Sequence, residues 1–476
     1  MTATTAEATA SVAFAGGRSG EAPLTWGQRA IWHAIGRTVP NDHYFNIGRF
    51  LTLADRGAPV DLPRLTVALA ALLVRHEALR TRTVRGDGGE ARQVLHGQGL
   101  VDLRVREVAA PDEAAGAAED LLASLTSHRF DYAGEWPVRF GAVRHEGRIT
   151  HVVLALCHLA ADGHAAEILV RDLRLLARRG SAGAACAANP LDLARHQASP
   201  AGRRSGRAAL DHWEKGLRAA PPTMFPAPVA EPRSPRFWTG RLVSAALPRA
   251  VDALAAAHRV SSSTVLLTAS AALVAAGQGH SVAAVMPIAG NRAAEAHRTL
   301  VTTLSQDALF VLRMDEAPGP DADFTGLLAA GWPAALAGYR AGAYDPAEWD
   351  ALLGRAAVER GVEVHPYCCF NDMRLVERPT APRPAPRPEE LDALRRRSVL
   401  DFPATQDLVA CRYCLHVSGD DSALTVTLTA DTAFLPPGSI HAHLRALEEV
   451  VVNASAGRPH RLTELPALLA TGEAAR

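Results

Sequence analysis

The stretch HVVLALCHLAADGHAAEILVRDLRLLA, residues 151–177, decides the fold of the chain. It begins with an unbroken apolar run, Val152 to Leu156, which is short enough for a buried strand. A loop with the sequence C-H-L-A-A-D-G follows at 157–163. After the loop, apolar residues recur at helical spacing with charged residues between them. The stretch therefore predicts a strand, a tight loop and an amphipathic helix.

The loop carries two residues whose side chains could take part in catalysis, His158 and Asp162. A histidine at the end of a buried strand lies on rigid backbone, and an imidazole with a pKa near neutrality is the usual general base. Gly163 lets the backbone approach a neighbour closely. The same pattern also fits a satisfied interior histidine followed by an ordinary helix N-cap at Asp162. From these residues alone, both interpretations stay open.

The loop resembles the H-H-x-x-x-D-G motif of nonribosomal peptide synthetase condensation domains, with Cys157 in place of the first histidine. Three further segments resemble motifs of that family, in the family's order: L-T-W-G-Q-R-A-I-W at 24–32, R-H-E-A-L-R-T at 75–81, and F-D at 130–131 with P-V-R at 137–139. The resemblance extends over nearly the whole chain. It implies an α/β fold of two chloramphenicol-acetyltransferase-like lobes in a V-shaped pseudo-dimer, with the active site in a tunnel at their interface.

Length and patterning divide the 476 residues into four parts. Residues 1–20 lack the charged and apolar regions of a leader peptide and are expected to form a flexible N-terminal tail. Residues 21–189 are expected to form the N-terminal lobe, which carries the C-H-L-A-A-D-G motif. Residues 190–236 include a proline-rich run and are predicted to be a linker between lobes. Residues 237–476 are expected to form the C-terminal lobe.

The pattern of the first lobe recurs in the second. Strands predicted at 138–144 and 148–156 form a hairpin that leads into the motif loop and a helix. Strands predicted at 409–418 and 423–429 form a second hairpin, also followed by a loop and a helix. The loop of the second copy, which begins T-A-D-T at 429–432, carries no histidine. Two similar lobes with one such histidine predict a single active centre.

Composition excludes several function classes. The formal net charge is +0 and aromatic residues make up 5%, which argues against a nucleic-acid surface and a polybasic membrane surface. Six cysteines in a chain of this size fit a reducing cytosol, so a cytoplasmic location is expected. Cys411 and Cys414 form a C-x-x-C, but no second pair or nearby histidine gives a zinc-ligand pattern. The pair is therefore predicted to lie on a strand, and no metal is expected.

The resemblance also implies roles for site residues. His158 would accept or orient the proton of the attacking group, while Asp162 and Gly163 would hold the loop. In the family, the motif aspartate pairs with an arginine. Arg292 ends a segment, M-P-I-A-G-N-R, that resembles the family's P-x-x-x-R, so it is the expected partner of Asp162. Arg139 is the alternative partner.

The motif departs from the family in two places. Adjacent strand residues face opposite sides, so Cys157 is expected to point into the lobe as a small buried group that supports the motif. His164 stands where the family often has an aromatic residue. The resemblance places four residues as candidates for lining the substrate channel: His164, Ser305, Gln306 and Asn371.

The resemblance implies a condensation-type acyltransferase of natural-product biosynthesis. It would join a carrier-bound acyl or aminoacyl thioester to a small-molecule or carrier-bound amine or hydroxyl acceptor, forming an amide or an ester. It would have no cofactor of its own, because the 4′-phosphopantetheine belongs to a partner carrier protein. The chain is expected to be a free-standing monomer that meets its carriers in trans. Two alternatives stay open: a CoA-dependent acyltransferase of the same superfamily, and a recruitment module without catalysis.

Overall fold

A computed structural model describes residues 7–53, 58–86, 88–317, 319, 321–374, 384–409 and 411–470. The chain forms two compact units, both of mixed α/β structure. Unit 1 comprises Met1–Arg204 and Gly290–Ser305. Unit 2 comprises Ser205–Ala289 and Gln306–Arg476.

The elements of unit 1 come from the first part of the chain. Its strands are β1 (Glu7–Ala15), β2 (Gly20–Pro23), β3 (Ile47–Thr52), β4 (Thr81–Arg85), β5 (Ala91–Leu95), β6 (Gln98–Glu107), β7 (Val138–His145) and β8 (Arg148–Leu156). Its helices are α1 (Trp26–Thr38), α2 (Leu62–Arg75), α3 (Ala114–Thr126), α4 (Gly163–Arg179) and α5 (Pro190–Ala198). A further helix, α6 (Pro200–Ala219), runs across the boundary into unit 2.

The main sheet of unit 1 explains the apolar run at 152–156. Its strand order is β1-β6-β7-β8-β3, so β8 is an interior strand. Val152, Leu154 and Leu156 face the core formed with α2 and α4, whereas Val153 and Ala155 face the core formed with α3. A strand with both faces buried has an unbroken apolar sequence instead of an alternating one. A smaller sheet, β2-β5-β4, completes the unit.

Unit 2 contains the strands and helices of the second part of the chain. Its strands are β9 (Phe237–Ser244), β10 (Val282–Ala289), β11 (Gln306–Asp307), β12 (Phe310–Arg313), β13 (Cys368–Asp372), β14 (Val399–Gln406), β15 (Tyr413–Gly419) and β16 (Leu424–Asp431). Its helices are α7 (Ala246–His258), α8 (Ser262–Gln278), α9 (Phe324–Arg340), α10 (Pro346–Arg360), α11 (Pro388–Arg395), α12 (Pro437–Ser455) and α13 (Leu465–Ala470).

The predicted repeat is present in the strand pairing. In unit 1, β6 is parallel to β7, β7 is antiparallel to β8, and β8 is antiparallel to β3. In unit 2, β13 is parallel to β15, β15 is antiparallel to β16, and β16 is antiparallel to β9. The helices that follow also correspond, because β3 and β8 lead to α2 and α4 as β9 and β16 lead to α7 and α12. The two units therefore share one core topology.

The predicted N-terminal tail is wrong for the part that the structure describes. Residues 7–15 form β1 and pair with β6 in antiparallel register along their whole length. The alternation of side chains places Val12 and Phe14 in the core, with 0% and 4% exposure. Residues 1–6 of the predicted tail lie outside the described residues.

The predicted boundaries between the lobes also differ from the structure. Much of the predicted linker, 190–236, is helical, since it contains α5 and α6. The predicted C-terminal lobe, 237–476, loses Gly290–Ser305 to unit 1. That segment belongs to unit 1 because its apolar side chains are buried there, Val301 in the main core and Leu300 against Leu193 of α5.

The helices were compared with the length and apolar character that a membrane-spanning helix needs. Among the residues that the structure describes, no single helix is both long enough and apolar enough to cross a membrane. Helices α7 and α8, which bend by 101° where they meet, satisfy both conditions only as a pair.

Candidate active site

The hairpin of β7 and β8 presents the motif loop. Its two turn residues, Glu146 and Gly147, have φ values of 47° and 77°. Positive φ at both positions is typical of the two-residue turns that match the twist of a hairpin. The last residues of β8 pair with β7 on one side and β3 on the other. The loop therefore starts from a strand that is fixed on both edges.

Asp162 has two structural roles at once. As the N-cap of α4, its Oδ1 accepts a hydrogen bond from the amide of Ala165 at 2.8 Å. The same oxygen lies 2.7 Å from Nη2 of Arg292 in an ion pair whose side chains are only 4% and 8% exposed. Oδ2 accepts hydrogen bonds from the amides of Leu304 and Ser305 at 3.0 and 3.2 Å. The carboxylate thus joins the loop, the helix and the segment that ends at Ser305.

Arg292, not Arg139, is paired with Asp162 in the structure. The Arg292 guanidinium also donates to three carbonyl oxygens of its own segment. Arg139 instead pairs with Glu135, with 2.6 Å between Nε and Oε1. Its guanidinium also lies over the ring of Phe130, 3.9 Å from the centroid. Arg139 therefore stabilises the start of β7 and leaves Asp162 to Arg292.

The hydroxyl of Thr303 contacts both the backbone and the ring of His158. Oγ1 of Thr303 donates its hydrogen bond to the carbonyl oxygen of His158. The same Oγ1 lies 3.4 Å from Nδ1 of the His158 ring. A hydroxyl carries one proton, so an oxygen that donates to the carbonyl can only accept from the ring. This arrangement favours the tautomer that carries its proton on Nδ1 and its lone pair on Nε2.

The electrostatic setting of His158 favours the neutral ring. Burial lowers the pKa of His158, while a hydrogen bond to its own backbone and the charge of Asp162 act in the opposite direction. A lowered pKa keeps the imidazole unprotonated at neutral pH, which is the form that accepts a proton. The residue as a whole is half-buried.

Cys157 has a different environment from its neighbour. Its side chain is 2% exposed and packs with Ile35, Phe130 and Leu159. Burial raises the pKa of the Cys157 thiol to about 12. A thiol that stays protonated is a poor nucleophile. The structure therefore places Cys157 as the small buried group that the sequence predicts.

Helix α1 contacts the motif loop through its first turn. Thr25 and Gln28 form a capping box at the start of α1, and Gln28 Nε2 also donates to the carbonyl of Leu159 at 3.2 Å. Gly27 allows a close approach, because a Cβ at this position would collide with the backbone carbonyl of Thr303. The opening motif of the chain therefore fixes both the loop and the residue that holds His158.

The four candidates for a substrate channel fall in both units. His164 and Ser305 are half-buried in unit 1, whereas Gln306 and Asn371 belong to unit 2. Gln306 departs from the expectation of a lining residue, because it is 4% exposed and its Nε2 donates to the carbonyl of Tyr344 at 3.0 Å. An amide that satisfies a buried carbonyl is held in the interior.

The sequence interpretation missed Thr303 and the amides that bind Asp162. Thr303 follows His158 by 145 positions, and nothing in the T-T-L-S-Q run at 302–306 distinguishes it from its polar neighbours. Backbone amides leave no signal in a sequence, because every residue except proline has one.

The sequence profile of the Condensation domain family matches residues 18–303, which include the hairpin, the loop, Arg292 and Thr303. The chain belongs to the condensation-domain family. Members of this family in peptide and polyketide synthetases are acyltransferases that form amide or ester bonds between carrier-bound substrates. The family shares the fold described above.

Individual relatives agree with the family assignment. The probable non-canonical nonribosomal peptide synthetase CymA of Salinispora arenicola is 34% identical over 163 residues, which are 34% of this chain and 2% of that protein. Phosphinothricin tripeptide synthetase PhsC of Streptomyces viridochromogenes is 29% identical over 212 residues, 43% of this chain and 19% of that protein. The chain thus matches only a small part of these curated relatives.

Solved structures share the fold over nearly the whole chain. The condensation domain of the Monacolin K polyketide synthase MokA superposes with a TM-score of 0.70 at 17% identity, covering 93% of this chain and 99% of that one. The SgcC5 protein of Streptomyces globisporus gives a TM-score of 0.66 at 20% identity, covering 92% and 99%. At these identities the likeness is one of fold.

Proposed function

We propose that this chain transfers an acyl group from a carrier-bound thioester to an amine or hydroxyl acceptor, with His158 as the residue that receives the acceptor's proton. The observation that supports the proposal is the hydroxyl of Thr303, which donates to the His158 carbonyl and so favours the tautomer with its proton on Nδ1 and its lone pair on Nε2. The lowered pKa of His158 keeps that lone pair available at neutral pH.

The proposed reaction balances without a further reagent. The acceptor nitrogen or oxygen attacks the thioester carbonyl, and Nε2 takes the proton that the acceptor loses. The C–S bond then breaks, and the proton passes from the imidazolium to the departing thiolate of the phosphopantetheine arm. The products are an amide or ester and a free carrier thiol. His158 returns to its neutral form.

Asp162 has no part in the proton transfer under this proposal. Its carboxylate oxygens are occupied by Arg292 and by three backbone amides. It is therefore a positioning residue that keeps the loop in one conformation. Holding two substrates in reactive geometry supplies most of the rate in such reactions, and proton transfer adds about 10²–10⁴-fold.

The test is an intact-mass assay of an acyl-loaded carrier protein mixed with candidate acceptors. We expect transfer with the wild-type chain and a loss of at least about tenfold with His158→Ala. His145→Ala is the matched control, because His145 lies at the far end of the same hairpin. We expect this variant to keep the wild-type rate.

Two outcomes would overturn the proposal. Equal rates for wild type and His158→Ala would remove His158 from the reaction. Transfer from a free acyl-CoA at the rate seen with the loaded carrier would show that the carrier is dispensable, and would place the chain among CoA-dependent acyltransferases.

A further inference from the structure

Three cysteines of unit 2 lie together although they come from separate segments. Cys369 is on β13, Cys414 is on β15, and Cys411 is in the loop that leads into β15. Cys369 and Cys414 are directly opposite each other in the parallel pairing of the two strands. The three sulfur atoms all lie within 4.8 Å of one another. The C-x-x-C of the sequence thereby gains a third thiol that its spacing did not reveal.

The cluster faces away from the helical core. On β13, Cys368 and Phe370 are buried among the residues of the unit 2 core, whereas Cys369 and Asn371 alternate with them and are half-buried. On β15, His416 is half-buried and is paired with Asn371. Cys369 therefore lies on the opposite face of β13 from Cys368 and Phe370.

Cys411 and Cys414 are joined as a disulfide in the structure, with their Cα atoms 6.1 Å apart. Two sulfurs that can bond when oxidised are also close enough to bind one ion when reduced. A separation of two residues between cysteines is the usual spacing of zinc-chelating pairs. A phosphine would reduce the disulfide to two thiols, with water supplying the two protons and the oxygen of the resulting phosphine oxide.

We propose that Cys369, Cys411 and Cys414 form a binding site for a thiophilic metal ion of the Zn²⁺ class in the reduced chain. Each thiol loses its proton when it binds the ion, so three thiolates surround one divalent cation. Thiolate sulfur is the ligand that such ions prefer. Three protein ligands leave one position of a tetrahedral ion for an exogenous ligand. The site is independent of the reaction proposed for His158.

The test uses the full chain, reduced with a phosphine under anaerobic conditions and freed of reductant. Zn²⁺ is added and bound metal is measured after gel filtration, and Co²⁺ is added in parallel to detect sulfur-to-cobalt charge-transfer absorption. We expect about one ion per chain. We expect Cys369→Ser to weaken binding by at least about tenfold, because one of three ligands is lost.

Cys368→Ser is the matched control, since Cys368 is the adjacent residue on the same strand and faces the core. We expect this variant to bind like the wild type. A readout without variants is protection from alkylation, in which Zn²⁺ should slow labelling of Cys369, Cys411 and Cys414 and leave Cys186 unaffected. The proposal is wrong if the chain with Cys411 and Cys414 reduced to thiols takes up no metal, or if Cys369→Ser binds as tightly as the wild type.

Discussion

Asp162 is both an ordinary helix N-cap and the residue that holds the motif loop, the two roles between which its sequence pattern could not decide. An ordinary N-cap accepts a hydrogen bond from the first turn of its helix, and Asp162 does so through Ala165. The carboxylate oxygens also accept hydrogen bonds from the Arg292 guanidinium and from the backbone amides of Leu304 and Ser305. A carboxylate that is almost fully buried needs such partners, because an unpaired charge in the interior is costly.

The Asp162–Arg292 pair leads to a prediction about stability. Arg292→Ala leaves the carboxylate buried without a counter-charge, so we expect the free energy of unfolding to fall by about 3–5 kcal/mol. Urea titration followed by circular dichroism measures the change. Arg298→Ala is the control, because Arg298 is an exposed arginine of the same segment, and it should change stability by less than about 0.5 kcal/mol. A loss below about 1 kcal/mol for Arg292→Ala would contradict the buried-pair account.

Thr303 leads to a prediction about the pH dependence of acyl transfer. Because burial lowers the pKa of His158, the neutral ring persists into more acidic solution, and the acid limb of kcat/KM should have its midpoint below the usual histidine value of about 6.5. Thr303→Val removes the hydroxyl that fixes the ring, so we expect a rate loss of about tenfold and a displaced acid limb. Thr303→Ser retains the hydroxyl and should restore both. Identical profiles for the valine and serine variants would exclude this role for the hydroxyl.

Sequence patterns predicted the elements that depend on periodicity. The apolar run of β8, the amphipathic α4 and the hairpin turn at Gly147 all lie where the patterns placed them. Strand β1 was missed because alanine, threonine and serine dominate it and have weak strand preference apart from threonine. Its signal was the alternation of Val12 and Phe14, which only the pairing with β6 makes meaningful.

The structural role of β1 can be tested with one core residue. Phe14 is buried and its ring meets that of Trp136 edge-on, with centroids 5.2 Å apart. We expect Phe14→Ala to lower the free energy of unfolding by about 3–5 kcal/mol. Ala13→Ser, on the exposed face of the same strand, should change it by less than about 0.5 kcal/mol. Equal unfolding curves for the two variants would indicate that residues 7–15 are not paired in solution.

Helices α2 and α4 are joined by a buried ionic cluster. Burial alone would raise the pKa of Asp172, but hydrogen bonds from His76, Arg171 and Arg75 outweigh it and lower that pKa. Burial lowers the pKa of His76, with the Asp172 hydrogen bond opposing. Asp172 therefore stabilises the fold above its unfolded pKa near 4, and this contribution is lost as the pH falls. The neutral His76 of the folded state is disfavoured below pH of about 6.5, where the unfolded histidine binds a proton.

This cluster predicts a loss of stability in mild acid. Between about pH 7.5 and pH 5, the folded state resists protonation of His76, which contributes at most about 1.4 kcal/mol per pH unit. We expect His76→Gln to make the free energy of unfolding depend less steeply on pH over this interval. Urea titrations at several pH values measure the slope. An unchanged slope in the variant would mean that His76 is protonated in the folded chain.

At the scale of the whole molecule, unit 1 is built from two separated parts of the chain. Sequence patterns predicted the two-part organisation from the repeated hairpin, but they assigned Gly290–Ser305 by its position in the chain. The contacts of Arg292 and Thr303 with the motif loop place this segment in unit 1 instead. Such contacts join distant positions, and local periodicity carries no information about them.

The discontinuity of unit 1 predicts the behaviour of fragments. Residues 1–204 alone leave Asp162 without Arg292, so we expect this fragment to be less stable by at least about 3–5 kcal/mol than the same residues joined through a Gly/Ser linker to residues 290–305. Thermal and urea unfolding of the two proteins measure the difference. If the shorter fragment unfolds at the same urea concentration, the segment is dispensable for the fold of unit 1.

Because Gly290–Ser305 completes unit 1, the order in which the ribosome makes the chain differs from the order in which its parts become complete. At about 5–20 residues per second, the roughly 100 residues from 205 to 305 take roughly 5–20 s to synthesise. During that interval the nascent first unit holds Asp162 without its arginine. Synonymous codons that slow translation between 205 and 305 would lengthen this interval, and with it the time during which a chaperone or a protease meets an unfinished core.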